Sequence, residues 1–569
     1  MDLLTELTLS IADGLQSRTL TNCLRWAAKR RIMTGDFEGP YSAKHHPWVK
    51  GMHTSKAPFN YAMKGAQLGV TEVLINLAFY TLDQLQRDVL YVLPTSKNAS
   101  DFSKARFSSA LRESPYLKSI FTDINSIELK QAGSNTLYIR GSRGDSNLKS
   151  IPVSVLLMDE IDEMSQRAIQ LALERLSGNL KKTVWGISTP TVPNFGIHKL
   201  YQKTTQEHFV FKCTRCSRWT ELIWPDCVEI IGEGVQDVRC AESFLKCKEC
   251  GGKLDHEAKP EWLADATWNV TNKNANPEKR GFAISQLYSY TVSPGELAVA
   301  HFTGFGDEMA NIEFHNSKLG EPFVGDGAKV SDDDIEACLK NHTKDGARPV
   351  VDSGRIITMG VDQGKWNYVE IAEWHFDRFS SDLNVAAKAT VLFETKFHEE
   401  DWCMLDELMP EWQIQACVID ADPQIMEARR FARRFPGYVW LCRFRRGVSA
   451  KEISEADDGD HAPIITVDRT NWFSAALGRF REPRRIALPR DVSMEYRDHV
   501  KSPVRTYVKE GGVKSAATKD TKLKDQSANM VATFISTGPD HYALARVYNE
   551  IALPFAARLE TGQDIQKFL

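Results

Sequence analysis

No apolar run in the chain approaches the length of a membrane span, and the opening residues Met1-Asp2-Leu3-Leu4-Thr5-Glu6 lack the basic and apolar regions of a secretory signal. An excess of either charge is lacking too. Lys and Arg number 71 against 75 Asp and Glu, a net charge of −4 over 569 residues, so any contact with nucleic acid has to come from local basic patches rather than global attraction. Internal repeats and low-complexity tracts are missing. Eleven cysteines in a chain of this size do not make a disulfide framework, and four of them need another explanation. What is present is ordinary for a globular protein, 42% hydrophobic and 26% charged, in a chain longer than one core usually grows. Two or three domains are expected.

Tyr61-Ala62-Met63-Lys64-Gly65-Ala66-Gln67-Leu68-Gly69-Val70-Thr71-Glu72 reads as an altered phosphate loop. In the usual G-x-x-x-x-G-K-[ST] pattern the backbone N–H groups cradle phosphates, Lys neutralises charge and the hydroxyl holds Mg²⁺. Gly69 and Thr71 match, but Lys64 takes the first glycine position and Val70 the lysine position. The displaced lysine is tolerable because a flexible stem brings its ammonium to the same phosphate from either side. Gly65, Gln67, Gly69 and Val70 form the loop, and Val73, Leu74, Ile75, Leu77 and Ala78 continue as a helix whose first N–H groups face the anion. Standing alone, the stretch is equally a glycine turn opening an ordinary helix.

Two later stretches change that. Val153 to Glu160 is an apolar run of strand length ending in Asp159-Glu160, the form in which a phosphate-loop enzyme presents an Mg²⁺ aspartate and a water-activating glutamate. Thr183 to Thr191 is a second short strand, ending in Ser188-Thr189-Pro190. Such a segment senses the γ-phosphate and relays hydrolysis, although by itself it reads as a strand running into a Pro turn. Between these stretches and the phosphate loop, Leu137 to Gly144 is a strand entering a Gly-Ser-Arg loop, whose Arg143 could reach phosphate in cis or from a neighbouring subunit.

Further on, Cys213-Thr214-Arg215-Cys216 and Cys247-Lys248-Glu249-Cys250-Gly251-Gly252 are two C-x-x-C knuckles separated by thirty residues. That is the ligand pattern of a zinc ribbon, four thiolates closing a tetrahedral Zn²⁺ site with no position left for water. Cys227 and Cys240 lie between them. A second domain opens with the apolar strand Ile356 to Asp362, followed by a strand over Tyr368 to Trp374 and another over Ala416 to Asp420. Asp362, Asp420 or Asp422, and Asp540 at a helix start are the candidate acids of a two-metal site, since converging carboxylates hold the ions that stabilise both oxygens of a phosphodiester. Asp420 and Asp422 would share a face of a regular strand, so alternation does not choose between them. Arg429, Arg430, Arg433, Arg434, Arg443, Arg445, Arg446, Arg479, Arg481, Arg484 and Arg485, interleaved with Phe431 and Phe435, suit a DNA backbone track or solvated helix faces.

The front-placed lysine, the Asp-Glu strand end and the Ser-Thr-Pro strand end together resemble the large terminase subunit of tailed bacteriophages, the lambda-type (GpA-like) branch. The resemblance runs over most of the chain. It implies an α/β protein: an N-terminal P-loop (ASCE/RecA-like) ATPase domain with a zinc-ribbon insertion and a C-terminal RNase H-like nuclease domain. The expected division is an N-terminal helical segment (1–40), the ATPase (41–330, ribbon about 208–256), a linker (331–354), the nuclease (355–548) and a tail (549–569). In the N-terminal segment Leu15, Leu20, Cys23, Leu24, Trp26 and Ala27 are apolar and Arg25, Lys29, Arg30 and Arg31 basic, read as a solvated helix face or a partner surface. The resemblance further implies ATP with Mg²⁺ (or Mn²⁺), with Lys64 on phosphate, Thr71 and Asp159 on Mg²⁺, Glu160 on the attacking water and Ser188 to Pro190 as the coupling segment. Asp362, Asp420 and Asp540 look like the family's nuclease acids. The implied partners are double-stranded DNA, the terminase small subunit, the portal and procapsid, and further copies of the chain in a ring; the implied compartment is the host cytoplasm, with no membrane. A helicase or restriction-type translocase with an attached nuclease is the competing enzyme class, and a capsid or portal protein with incidental carboxylates the non-enzymatic one.

Overall fold

The apolar runs around the expected phosphate site become the middle of a ten-stranded sheet. The computed structural model describes residues 22–121, 125–144, 148, 151–344, 356–376, 387–445, 454–456, 462–509 and 530–561, in two compact units, 1–323 and 324–569. In the first, the strands Phe59–Lys64, Val89–Leu93, Val155–Asp159 and Thr183–Ser188 are buried along nearly their whole length. Continuous burial is what parallel strands covered on both faces require. Thr183–Ser188 lies parallel between Phe59–Lys64 and Val155–Asp159, pairing Ser188 with Met63 and Ile187 with Asp159. Three strands therefore end side by side at Lys64, Asp159 and Ser188. Beyond Phe59–Lys64 the sheet continues through Lys279–Ile284 and Glu207–Lys212; on the other side come Val89–Leu93, Asn135–Gly141 and Leu129–Ala132.

The helix Cys23–Arg30 is not a solvated face. Asn22 caps it, Trp26 and Ala27 are fully buried, and the Trp26 indole donates to Asp83 at 2.7 Å. Arg31 donates to Asn76 and Glu72 of the helix Val70–Tyr80, each at 2.9 Å. The basic residues that pattern placed outside are thus partly anchors, because carboxylate and amide partners arrive from residues forty or more positions away. Leu15 and Leu20 lie outside the described residues.

The second unit begins before the expected linker ends. Ser331 and Asp334 form a capping box on the helix Asp332–Cys338, and the strand Leu339–Lys340 pairs with Ile486–Pro489. Residues 331–344 are therefore part of the second unit's fold; 345–355 lie outside the described residues. Among the described residues its sheet has nine strands. At its centre Ile356–Asp362 pairs antiparallel with Trp366–Phe376 and parallel with Ala416–Asp420, the arrangement of an RNase H-like sheet. Across this sheet lies the helix His541–Thr561. A Cβ on Gly360 would stand 2.0 Å from Ala545 O and 2.3 Å from Asn549 N, so only glycine lets helix and strand meet backbone to backbone.

That helix overturns the expected start of a tail at 549. Asn549 and Glu550 are buried, and Glu550 accepts from Arg479 Nε at 2.7 Å and from Arg546 at 3.1 Å, while Arg546 also donates to Glu370 at 2.8 Å. Two arginines and two carboxylates balance one another inside the core, as buried charges must. Polar spelling hid an internal position. The stretch 562–569 and most of the expected loop at 509–527 lie outside the described residues.

Candidate active sites

The phosphate loop is built by backbone contacts. Gly65 N donates to Ile284 O at 2.8 Å and Ala66 N to Ser317 O at 2.7 Å; Gln286 Nε2 donates to Ala66 O at 2.8 Å. Gly320, at φ +69°, would place a Cβ 2.6 Å from Gly65 N, so glycine is needed where the two main chains cross. Gln67 and Gly69 take positive φ of 55° and 71°, and the Trp48 indole holds Leu68 O at 2.8 Å. The loop is preshaped. Val70, which takes the usual lysine's position, is buried as the first residue of the helix.

Lys64 Nζ stands 3.2 Å from Glu160 Oε1. The Asp159 carboxylate beside them accepts from the Tyr91 hydroxyl at 2.8 Å, with the Thr71 hydroxyl next to it. Burial, and then repulsion from Glu160, pushes Asp159 up to about 6 against the opposing pull of Lys64. Its Oδ1 is buried with no hydrogen-bond partner among the described residues. A buried carboxylate oxygen left unpaired, next to a second acid and a hydroxyl, is a donor set that fits Mg²⁺. Glu160, at φ +61°, has its Oε2 at 3.4 Å from both Ser188 Oγ and Thr189 N. The sequence-predicted residues of the three strand ends are thus together. Arg143 is exposed, in the loop after a strand two places from Val155–Asp159. Tyr91, Gln286, Ser317 and Gly320 were missed as site residues, since each acts through a partner remote in sequence.

Among the described residues, the sulfurs of Cys213, Cys216, Cys247 and Cys250 are the one group of metal-binding atoms all within 4.8 Å of each other. Arg215 N and Glu249 N each point at a knuckle sulfur at 3.4 Å. Cys227 and Cys240 stand apart, their sulfurs against Glu221 O and Gly234 O. Four thiols with no oxygen ligand fit a structural zinc.

In the second unit Asp362 and Asp420 end adjacent parallel strands, and Asp540 directly precedes the helix His541–Thr561. Burial pushes Asp362 up to about 7, with further repulsion from Asp420 and Asp540, against the attraction of His541. His541 Nδ1 lies 2.8 Å from its carboxylate, and its ring stacks on Tyr368 at 4.6 Å. Burial raises Asp420 as well. A buried acid with two further acids beside it fits divalent cations, though the three form a more open cluster than the cysteines. Asp422 is different. The strand stops at Asp420, so alternation no longer applies, and Asp422 turns outward into a two-pronged pair with Arg443 at 2.9 and 3.1 Å. His541 was the residue missed here; its place beside Asp540 was the available signal.

The arginine track is also altered. Phe431 is buried and Phe435 packs on the core, leaving Arg430, Arg433 and Arg434 exposed, Arg434 lying over the Phe431 ring and paired with Asp406 at 2.8 Å. Arg479 is buried on Glu550 and cannot meet DNA. Arg446 lies outside the described residues.

Two family models match. The ATPase domain of the phage terminase large subunit gpA covers residues 36–268 and the gpA endonuclease domain residues 279–507. The second match starts inside the first unit, where Lys279–Ile284 pairs with the phosphate-loop strand. No curated protein matches. Similar solved structures include the HK97 bacteriophage large terminase, at 10% identity and a TM-score of 0.47, covering 93% of this chain and 98% of that one. The Thermus phage P74-26 large terminase ATPase domain gives 12% identity and a TM-score of 0.31 over 50% of this chain and 95% of that one. The large terminase nuclease of the thermophilic phage G20c gives 13% and 0.22 over 39% and 97%. Two successive domains of one phage protein span most of the sequence, and on that ground the chain belongs to the phage terminase large subunit gpA family, an ATPase joined to an endonuclease.

Proposed function

We propose that the first unit hydrolyses ATP to move double-stranded DNA into a procapsid and that the second cuts the concatemer using two divalent ions. The observation that supports this best is the meeting of Lys64, Asp159, Glu160 and Ser188 at adjacent strand ends beside a preshaped phosphate loop. Lys64 bears on phosphate, Thr71 and Asp159 hold Mg²⁺, and Glu160 orients the attacking water. The bound ion supplies charge neutralisation along the phosphates. Ser188, Thr189 and Pro190 form the coupling segment, which follows the loss of the γ-phosphate through the contacts of Ser188 and Thr189 with Glu160. Arg143 reaches phosphate in cis or from a neighbouring subunit of a ring. Asp362, Asp420 and Asp540 hold Mg²⁺ or Mn²⁺ for phosphodiester cleavage, Asp422 being engaged by Arg443. The four cysteines hold Zn²⁺. The small subunit, which selects DNA, and the portal are the partners this role requires. No helix among the described residues is long and apolar enough to cross a membrane, and the proposed compartment is the host cytoplasm.

The test is a paired assay on the full chain. Glu160→Ala is expected to abolish ATP turnover and leave Mn²⁺-dependent cleavage of plasmid DNA, whereas Asp362→Ala reverses the pattern. Turnover unaffected by Glu160→Ala would refute the ATPase assignment, and cleavage unaffected by Asp362→Ala the nuclease one.

A further inference from the structure

Asp162 has no role in the assignments above, yet its carboxylate is used at both oxygens inside the first unit, where it is 7% exposed. Oδ2 accepts from Thr191 N and from Thr191 Oγ1, each at 2.9 Å. Oδ1 accepts from Ile197 N at 2.7 Å. Gly196, at φ +47°, makes room for it: a Cβ there would lie 2.2 Å from Oδ1. The same residue's amide faces the other way, and Asp162 N donates to Ser188 Oγ at 3.2 Å. Asp162 thus grips both ends of Ser188–Thr191, its amide the first residue and its carboxylate the last.

That segment touches one oxygen of Glu160, while Lys64 stands 3.2 Å from the other. Its two contacts on Glu160 Oε2, from Ser188 Oγ and Thr189 N, are both 3.4 Å, at the long limit where a small displacement loses them. A glutamate that orients water depends on its aim, and an error of about 1 Å in such a group costs about a hundredfold in rate.

We propose that Asp162 is a positioning residue for ATP hydrolysis: by clamping Thr191 and Ser188 it holds the segment that aims Glu160. The proposal rests on Glu160 acting as the water-orienting residue. It also assigns the carboxylate a purpose beyond folding, because the clamp spans the loop in contact with the reacting end of the site.

The experiment is steady-state ATP turnover by the full-length chain with Asp162→Asn, Thr191→Val, Thr191→Ser and Glu160→Gln measured side by side. Asparagine matches aspartate in size but has one accepting oxygen where the three donors need two. Asp162→Asn is expected to lower kcat about a hundredfold, to leave KM for ATP within about threefold, and to leave Mn²⁺-dependent plasmid cleavage by the same preparation intact. Thr191→Val, which keeps the N–H and loses the hydroxyl, should fall between; Thr191→Ser should restore wild-type kcat. Wild-type kcat in Asp162→Asn with Glu160→Gln inactive overturns the proposal while leaving the site assignment standing. Joint loss of nucleotide binding and plasmid cleavage in Asp162→Asn overturns it too, as the mark of a residue that only holds the fold. Retained turnover in Glu160→Gln removes the site assignment itself, and the clamp with it.

Discussion

Lys64 and Glu160 are 96 positions apart in sequence and 3.2 Å apart in space, and both were legible because each closes an apolar run that a parallel strand would use up. Asp422 shows the limit of the same reasoning. It holds for as long as the strand does, and the strand ends two residues earlier, at Asp420. Asp162 and Gln286 were not legible at all, since nothing local to them announces Thr191, Ile197 or Ala66. Burial sets another residue apart. Lys259 is 1% exposed and donates to Ser289 O; burial lowers it from 10.5 to about 7. Between pH 7 and about 10 the unfolded chain therefore binds a proton that the folded chain does not, so this residue's contribution to stability rises with pH across that window. Lys259→Met should flatten the rise: the difference in denaturant midpoint between wild type and variant, followed from pH 7 to 10, is expected to change steadily and then level off. A difference independent of pH would refute it.

At the level of elements, the parallel strands of the first sheet and the central strands of the second were readable from burial patterns, whereas element function was not always so. Glu207–Lys212 leads into the first cysteine knuckle, and it also pairs with Lys279–Ile284, the neighbour of the phosphate-loop strand. The cysteine site thus hangs from the catalytic sheet rather than beside it. Treatment with a strong chelator, or Cys247→Ser, is expected to lower the thermal midpoint of the chain by several degrees, since a structural metal held by the four cysteines would contribute folding free energy outright, and to reduce ATP turnover as the sheet edge frays. Added zinc should restore the chelated protein. Metal analysis finding no zinc in the purified chain, with the midpoint unmoved by chelator, would exclude the site. The helix His541–Thr561 teaches the opposite lesson: its Arg546 and Glu550 spell a surface, and only their partners Glu370 and Arg479 make them a core.

For the molecule as a whole, two enzymatic units in series were foreseeable from length and from the two sets of acids, but the boundary between them was not. A stretch rich in Asp and Gly reads as linker, and its Ser331 and Asp334 instead cap a helix of the second unit. The first unit ends at Phe323, and the stretch leading to that end is fastened to the ATP site at two points. Ser317 O receives Ala66 N of the phosphate loop, and Phe323 N donates to Thr191 O at 3.1 Å. Both fastenings are main-chain atoms, so replacing the side chains of Ser317 or Phe323 would leave them in place, whereas Gly320, whose Cβ would meet Gly65 N, tolerates no side chain. Removing the amide itself is another matter: Phe323→Pro should slow ATP turnover while Phe323→Leu does not, and equal rates in the two would discount the stitch. Stitches indifferent to the spelling of the residues that make them can still be intolerant of a change in thread count, and a single residue added between Gly320 and Phe323 would put the two out of step.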